Sequence, residues 1–233
     1  MRRPSPSTRK TAVPDPGDSP GPGATAAQLL DAAAEVFAAR GFRDATVREI
    51  CRRAGANVAA VSYHFGDKAR LYAAVLRETG RRAAAVADPA RDADPRQPAA
   101  RRLEGFVRSL LSRILAGGPA SLHGEILARE MIEPTEALDR VVSEFMRPQA
   151  EHLNGVIREL VGPRVPAAGI RRLGLSVVSQ ILFYKHCRPV LERLYPDQCP
   201  DAGRLEELTR HITAFSLAGL RGFARPRKPP AAD

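Results

Sequence analysis

The chain has 233 residues and is strongly basic, with 36 Lys and Arg against 26 Asp and Glu, a formal charge of +10 and a pI near 10.3. This balance favours a polyanionic partner, either nucleic acid or an anionic membrane surface. The sequence has no apolar run long enough to span a membrane, no signal-peptide pattern, and three cysteines whose spacing fits neither a disulfide framework nor a zinc site. These features argue against a membrane-spanning or secreted protein, and we expect a cytoplasmic one.

Both ends of the chain have the composition of disordered segments. Residues 1–24 are rich in Pro, Ser and Gly and carry several basic side chains, and residues 225–233 are rich in Pro and in basic side chains. Such segments bury too little apolar surface to offset the entropy lost on ordering, so we expect disordered basic tails. The alternative for the first tail is a basic arm that adds non-specific affinity for nucleic acid.

The first predicted helix begins near residue 25 and ends at Gly41, a residue that suits the position just after a helix. Its apolar stripe at helical spacing consists of Leu29, Leu30, Ala33, Val36 and Phe37. We expect this helix to support the two that follow.

The stretch TVREICRRAGANVAAVSYHFGDK, residues 46–68, predicts two short helices joined by a tight turn. Thr46 and Asn57 are suitable N-caps, and Gly55 can adopt the left-handed conformation that ends the first helix. This is the helix-turn-helix arrangement. Small side chains would let the second helix approach the floor of a DNA major groove, and its polar end would reach base edges and phosphates. The stretch therefore indicates sequence-specific DNA binding.

A helix starting near Asp67 should link this head to the remainder of the chain. The Pro- and Asp-rich residues 88–99 form the clearest internal break. Helical patterns then recur over Leu103–Ile114, 120–131, 134–160, 168–194 and 201–223. With no strand signal, the sequence predicts an all-α protein.

Three motifs in order carry a family resemblance: LLDAAAEVFAARGF, T-x-R-E-I-C-R-R-A-G and V-S-Y-H-F-G-D-K-A-R-L-Y. Residues 29–71 resemble the DNA-binding domain of the TetR family of bacterial regulators. The resemblance implies an N-terminal three-helix helix-turn-helix head, residues 25–70, and a larger helical domain, residues 71–224, that binds an effector and dimerises.

The second domain has its own resemblance, to the C-terminal domain of the CecR (CerR) subgroup of the same family. The matching pattern is Arg129-Glu130, Pro134-Thr135, Arg147-Pro148, Gln180, Phe183-Tyr184 and Arg188-Pro189.

Helix geometry and the position of the family motif assign the DNA contacts. Phosphate contacts are expected from Thr46, Arg48, His64 and Lys68, base contacts from Val58, Ala59 and Ala60, and either kind from Ser62 and Tyr63. Because Val58–Ala60 contains no Arg, Gln or Asn, DNA shape or bound water should carry more of the specificity. Phe65 is expected in the core.

The family analogy, together with polar groups inside apolar helices, predicts a pocket for a small and largely apolar effector. The candidates are Phe106, Leu110, Glu130, Met131, Phe145, Gln149, His152, Gln180, Tyr184 and His186. The same residues would equally suit a satisfied core network with surface polar groups. Widely spaced histidines and the absence of a nucleophile motif predict no metal, no cofactor and no enzymatic activity.

One recognition helix reads few base pairs, so we expect a homodimer on a palindromic operator, paired through the last two helices as a four-helix bundle. The apolar faces come from Leu173, Val177, Ile181, Leu205, Leu208, Ile212, Phe215 and Leu220, part of which must belong to the monomer core. The leading hypothesis is thus a ligand-responsive, nucleoid-associated regulator, most simply a repressor. The alternative is a basic helical adaptor for acidic proteins or membranes, without sequence-specific DNA reading.

Overall fold

The computed structural model describes residues 22–89, 94–117 and 121–224, and every regular element within these ranges is helical. The predicted all-α class is therefore confirmed. Of the predicted tails, residues 1–21 and 225–233 lie outside the described residues, whereas residues 22–24 already belong to the first helix. No helix in the described ranges is long and apolar enough to cross a membrane.

The helices follow one another in a simple order along the chain. They are α1 (Pro22–Asp44), α2 (Val47–Ala54), α3 (Val58–Phe65), α4 (Lys68–Val86), α5 (Ala99–Leu115), α6 (Leu122–Glu130), α7 (Ala137–Val141), α8 (Arg147–Val161), α9 (Ala167–His186), α10 (Arg188–Leu194) and α11 (Leu205–Ala224). A π-helical turn, Val142–Met146, joins α7 to α8, and the short 3-10 turns Pro196–Gln198 and Ala202–Arg204 precede α11.

Local sequence signals explain the short helices of the head. Thr46 Oγ1 accepts the Glu49 N–H at 3.2 Å, and Asn57 Oδ1 accepts the Ala59 N–H at 3.0 Å, so each helix begins at a side chain that satisfies an end N–H group. Gly55 has φ of 64°, the left-handed conformation that a side chain would disfavour, and it ends α2 as predicted.

The head has a core to which the following domain also contributes. Its buried side chains come mainly from α1, α2 and α4, and Ile126 of α6 and Val141 of α7 belong to the same cluster. The head is therefore packed directly onto the helices that follow it, and a shift of α6 would disturb the packing of the head core.

A second core lies among α5, α8, α9 and α11. Its fully buried members include Leu103, Phe106, Val107, Leu111, Leu153, Ile157, Ile181 and Ile212. The amphipathic spacing of each helix turns its apolar stripe toward this core.

The predicted continuous helix 168–194 is instead interrupted. α9 ends at His186, Cys187 leaves the helical conformation, and α10 starts at Arg188. The physical reason is Pro189, which lacks the N–H that would bind the Lys185 carbonyl and whose ring would collide with it. The helix predicted to open at Pro134 begins at Ala137 and contains the π-helical turn just before Pro148.

The structure divides the residues that were predicted to form the dimer interface. Val177, Ile181, Leu208, Ile212 and Leu220 are buried in the monomer, and Leu173 and Leu205 are half-buried. Only Phe215 of that set is exposed, so most of the prediction identified the core stripe of these helices. The exposed large apolar side chains of α9 and α11 are Leu175, Phe183, Phe215 and Phe223.

Candidate DNA-binding surface and effector cavity

Helix α3 presents one continuous face to solvent. Val58, Ala59, Ser62 and Tyr63 are exposed, with Tyr63 at 79%, whereas Val61 on the opposite side is buried in the head core. Residues three and four positions apart share a helix face, so the pairs Val58–Ser62, Ala59–Ser62 and Ala59–Tyr63 connect these four side chains into a single strip. Ala60, which was predicted beside them, is half-buried against the head core and belongs less to this strip.

Helix α2 packs against α3 and carries unpaired positive charge on its outer face. Arg48 and Arg52 are exposed, and neither makes an ion pair with the described residues, whereas Arg40 and Arg53 pair with Glu49 and Glu35 at 3.0 and 2.6 Å. Free guanidinium groups suit phosphate oxygens. Arg52 was not predicted, although it lies one turn after Arg48, and this spacing places both on one face of α2.

Lys68, predicted at a phosphate, is instead bound within the head. Its Nζ donates to the Arg43 carbonyl at 3.1 Å and lies 4.7 Å from the centroid of the Phe42 ring. Partial burial lowers the pKa of Lys68, and Asp44 opposes this shift. A phosphate contact by Lys68 would require these interactions to be shared or exchanged. His64, also predicted at a phosphate, is half-buried between the rings of Tyr63 and Phe65.

A cavity of about 80 Å³ lies among α4, α5, α6 and α9. Its described lining residues are Ala83, Leu110, Arg113, Ile114, His123, Gly124, Leu127, Ala128, Met131, Leu182, Lys185 and His186. Three predicted effector residues, Leu110, Met131 and His186, are among them. The prediction of effector residues did not include Arg113, His123 or Lys185. A charged residue within an apolar run was an available signal for two of them, Arg113 in LLSRIL and Lys185 in ILFYKH.

The polar wall of the cavity is basic. Arg113 donates to Gln149 Oε1 at 3.3 Å, and burial lowers its pKa while Asp88 raises it. His123 is 3% exposed, with Nδ1 3.1 Å from Thr79 Oγ1. Burial, and next the nearby Arg113 charge, lower the pKa of His123 to about 4, so its ring is neutral at neutral pH. Across the described residues, no group of three or more His, Cys, Asp or Glu side chains is placed to hold a metal ion.

The other predicted effector residues do not converge on this cavity. Phe106 is buried beside His152, with ring centroids 6.4 Å apart, and Gln180 donates to Ser216 Oγ at 3.2 Å between α9 and α11. Tyr184 packs on the second core, and Gln149 reaches the site only through Arg113. Phe145 lies against His123 with ring centroids 6.0 Å apart, and a Cβ at Gly80 of α4 would come within 3.0 Å of the Phe145 ring, closer than side chains usually pack.

Glu130 has a bridging position outside the cavity. Its carboxylate accepts the Tyr72 hydroxyl at 2.7 Å, the Thr135 hydroxyl at 3.0 Å and the Thr135 N–H at 3.1 Å, and the residue is 1% exposed. Burial, and then the hydrogen bond to Glu130, raise the pKa of Tyr72, so this hydroxyl remains a donor. Glu130 thereby joins α4 to the segment between α6 and α7.

Helix α6 has two faces that contact different parts of the molecule. Gly124, Leu127 and Ala128 line the cavity, whereas Arg129 on the other side donates to the Ala38 and Ala39 carbonyls at 2.7 and 2.5 Å. These carbonyls lie just before Gly41, whose φ of 76° and ψ of 178° break the helical conformation inside α1 at the predicted position, and helix carbonyls before such a break lack intrahelical partners. One rigid helix therefore contacts both the cavity and the head.

Comparison with known proteins agrees with this architecture. Residues 29–75 match the family described as bacterial regulatory proteins of the tetR family, and residues 99–220, more than half of the chain, match the C-terminal domain of the HTH-type transcriptional dual regulator CecR. The HTH-type transcriptional regulator BetI of Escherichia coli O127:H6 is 30% identical over 131 residues, which cover 52% of this chain and 67% of BetI.

Two solved structures illustrate the shared fold. A tetR-family regulatory protein from Rhodococcus RHA1 is 19% identical with a TM-score of 0.62, over 84% of this chain and 96% of that one. AibR, in complex with isovaleryl coenzyme A and operator DNA, is 15% identical with a TM-score of 0.62, over 82% and 97% of the two chains. At these identities the likeness concerns the fold alone. The two family matches together with the helix-turn-helix head establish that this chain belongs to the TetR family of DNA-binding transcriptional regulators and carries a CecR-type C-terminal domain.

Proposed function

We propose that this protein is a dimeric, ligand-responsive repressor that binds a palindromic operator and is released by a small effector bound among α4, α5, α6 and α9. The observation that carries the proposal is the double role of α6, which lines the cavity on one face and holds the head on the other.

The contacts of α6 with the head would couple effector binding to DNA binding. Arg129 binds the end of α1, and Glu130 binds Tyr72 of α4, so a displacement of α6 would move both of these helices. An effector that fits the cavity better when α6 is displaced would favour that state by its difference in affinity. In a dimer, such a tilt would change the separation of the two α3 helices and thereby the fit to DNA.

The outer strip of α3 supports direct reading of DNA, and the exposed Arg48 and Arg52 support the phosphate contacts. The two large side chains of the strip are both exposed, Tyr63 at 79% and Val58 at 48%. Val58 and Ala59 would make apolar contacts with bases, for example with thymine methyl groups. Thr46 already caps α2, so its contribution to DNA binding would be through the positively polarised helix end.

The dimer is supported by the exposed apolar side chains of α9 and α11. Leu175, Phe183, Phe215 and Phe223 lie on the last two long helices and are exposed in a single chain. Apolar patches of this kind mark interaction surfaces, and a two-fold pairing of two helices from each protomer gives a four-helix bundle.

Selection of bound DNA from a random pool at near-physiological salt tests this proposal. The expected result is a palindrome with half-sites about 34 Å apart, or a multiple of that distance. Tyr63→Ala should weaken binding to the selected site about tenfold and binding to unrelated DNA much less, because base contacts specify and phosphate contacts do not. The matched control is Tyr195→Ala, which removes another exposed tyrosine outside the head. Weak, sequence-indifferent binding that is lost at moderate salt would instead support the basic adaptor.

A further inference from the structure

We propose that the cavity among α4, α5, α6 and α9 takes an organic anion, with a short apolar body against the aliphatic wall and a carboxylate head between Arg113 and Lys185. The inference rests on the proposed function, because it takes this cavity to be the effector site, and it adds the chemical class of the effector.

The first support is the charge of the lining. Arg113 and Lys185 are both cationic, and the described lining residues include no Asp or Glu. Two like charges at one cavity repel each other. An anion bound between them would be attracted to both and would offset this repulsion. A cationic ligand would add a third positive charge and is therefore disfavoured.

Arg113 is well suited to hold a carboxylate. A guanidinium group has five N–H donors in a planar fork, and the described contacts of Arg113 use one of them, to the neutral Gln149 amide oxygen at 3.3 Å. Asp88 acts on it electrostatically from outside the lining. A partly buried guanidinium that faces a cavity with unused donors gains from a hydrogen-bonded anion, since water there is limited.

Lys185 lies at the cavity as well. Its Cε and Nζ would be 3.7 and 3.9 Å from a Cβ placed on Gly124, so the side chain lies across α6. It makes no hydrogen bond or ion pair within the ranges that the structure describes. These are ordinary van der Waals distances, so the Lys185 side chain lies alongside Gly124, and both residues line the cavity.

The rest of the lining determines the body of the ligand. Aliphatic side chains dominate it, namely Leu110, Ile114, Leu127, Leu182 and Met131. His123 is neutral and already bonded to Thr79, so it adds no third charge. At about 80 Å³ the cavity is small beside the roughly 300 Å³ of typical ligand sites. The body should therefore be short, and the flexible, half-exposed Met131 provides the side chain that would move to admit it.

The test uses hexanoate on the full-length protein, with 1-hexanol and hexylammonium as neutral and cationic probes of similar length. Calorimetry gives each dissociation constant, and the change in Tm provides an independent measure. We expect hexanoate to bind and to raise Tm, 1-hexanol to bind about tenfold more weakly, and hexylammonium not to bind, since a charge-assisted hydrogen bond to a partly buried group distinguishes the three.

Lys185→Gln should weaken hexanoate roughly threefold to tenfold and leave 1-hexanol unchanged. Arg171→Gln is the matched control, because it removes one positive charge from an exposed site on the same helix, and it should alter neither. Arg113→Gln should abolish hexanoate binding, and Arg113→Lys should restore part of it. Ala128→Phe should prevent binding of hexanoate and of 1-hexanol, because the phenyl ring would fill the cavity.

The outcomes separate this inference from the proposed function. Equal binding of hexanoate and 1-hexanol, an unchanged hexanoate affinity in Lys185→Gln, or no binding of hexanoate would overturn the anion assignment, while operator selection would still report on the regulator. Charge-dependent hexanoate binding without any release of the selected operator would uphold the anion site and contradict its role as the effector site.

Discussion

Replacing Tyr72 by Phe removes one hydroxyl group from the buried contact that joins α4 to the segment after α6. That hydroxyl donates to Glu130 Oε1 at 2.7 Å. Glu130 is almost completely buried, and its remaining hydrogen bonds come from the hydroxyl and N–H of Thr135. The ring of Tyr72, which packs edge-on against Phe37 with centroids 4.7 Å apart, is retained in the variant. The substitution therefore isolates one hydrogen bond to a buried carboxylate.

The expected cost follows from the charge of the acceptor. A hydrogen bond to a charged group contributes about 1.5–3 kcal/mol, and a buried carboxylate that loses a donor has no water to replace it. Because Thr135 still donates twice, we expect a loss of about 2 kcal/mol in the free energy of unfolding. For a chain of this size, that corresponds to a decrease in Tm of roughly 4–8 °C.

Urea unfolding at a fixed protein concentration measures this loss, since a dimer's stability depends on concentration. Tyr63→Phe is the matched control, because it removes a hydroxyl from a tyrosine that is 79% exposed. It should change stability by less than about 0.5 kcal/mol. The combination of Tyr72→Phe with Glu130→Gln should cost less than the sum of the single changes. A loss below about 0.5 kcal/mol in Tyr72→Phe, or full additivity in the double variant, would refute the reasoning.

Three further predictions concern other parts of the molecule. Because the pKa of His123 is lowered from 6.5 to about 4, the neutral ring contributes stability that is complete above about pH 6.5 and lost as pH falls toward 4. Between about pH 7.5 and pH 5, the free energy of unfolding measured with urea should fall by about 2 kcal/mol more in wild type than in His123→Gln. An equal fall in both would contradict this. Thr46→Ala should cost about 1 kcal/mol in the same assay and Thr46→Ser much less, since Ser keeps the capping oxygen; equal costs would argue against the cap. Phe215→Glu should convert dimer to monomer in sedimentation, whereas Ile132→Glu, at another exposed apolar residue, should not; a dimeric Phe215→Glu would move the interface elsewhere.

The order of the head helices could be read from the sequence because their signals are local. The oxygen of Thr46 and that of Asn57 each reach an N–H two or three residues ahead, and Gly55 needs only its own backbone freedom. Such capping rules depend only on residues that are close in sequence, and not on tertiary contacts. The all-α class was predictable for a similar reason, since helical periodicity depends on neighbours within two turns.

The cavity, the contacts of α6 and the dimer face depend on which helix surfaces meet, and no local rule specifies that. Arg113 and Lys185 are 72 residues apart in sequence but line one cavity, because α5 and α9 lie on either side of it. The apolar stripe of α11 fits a monomer core as well as a dimer interface, and only packing against α5 and α8 assigns Ile212 to the core and Phe215 to the surface. Periodicity and capping residues thus determined the all-α class and the two short helices of the head, but not the interruption at Cys187. The tertiary structure decided what each helix face contacts, because burial is a property of the partners that a face meets and not of the face alone.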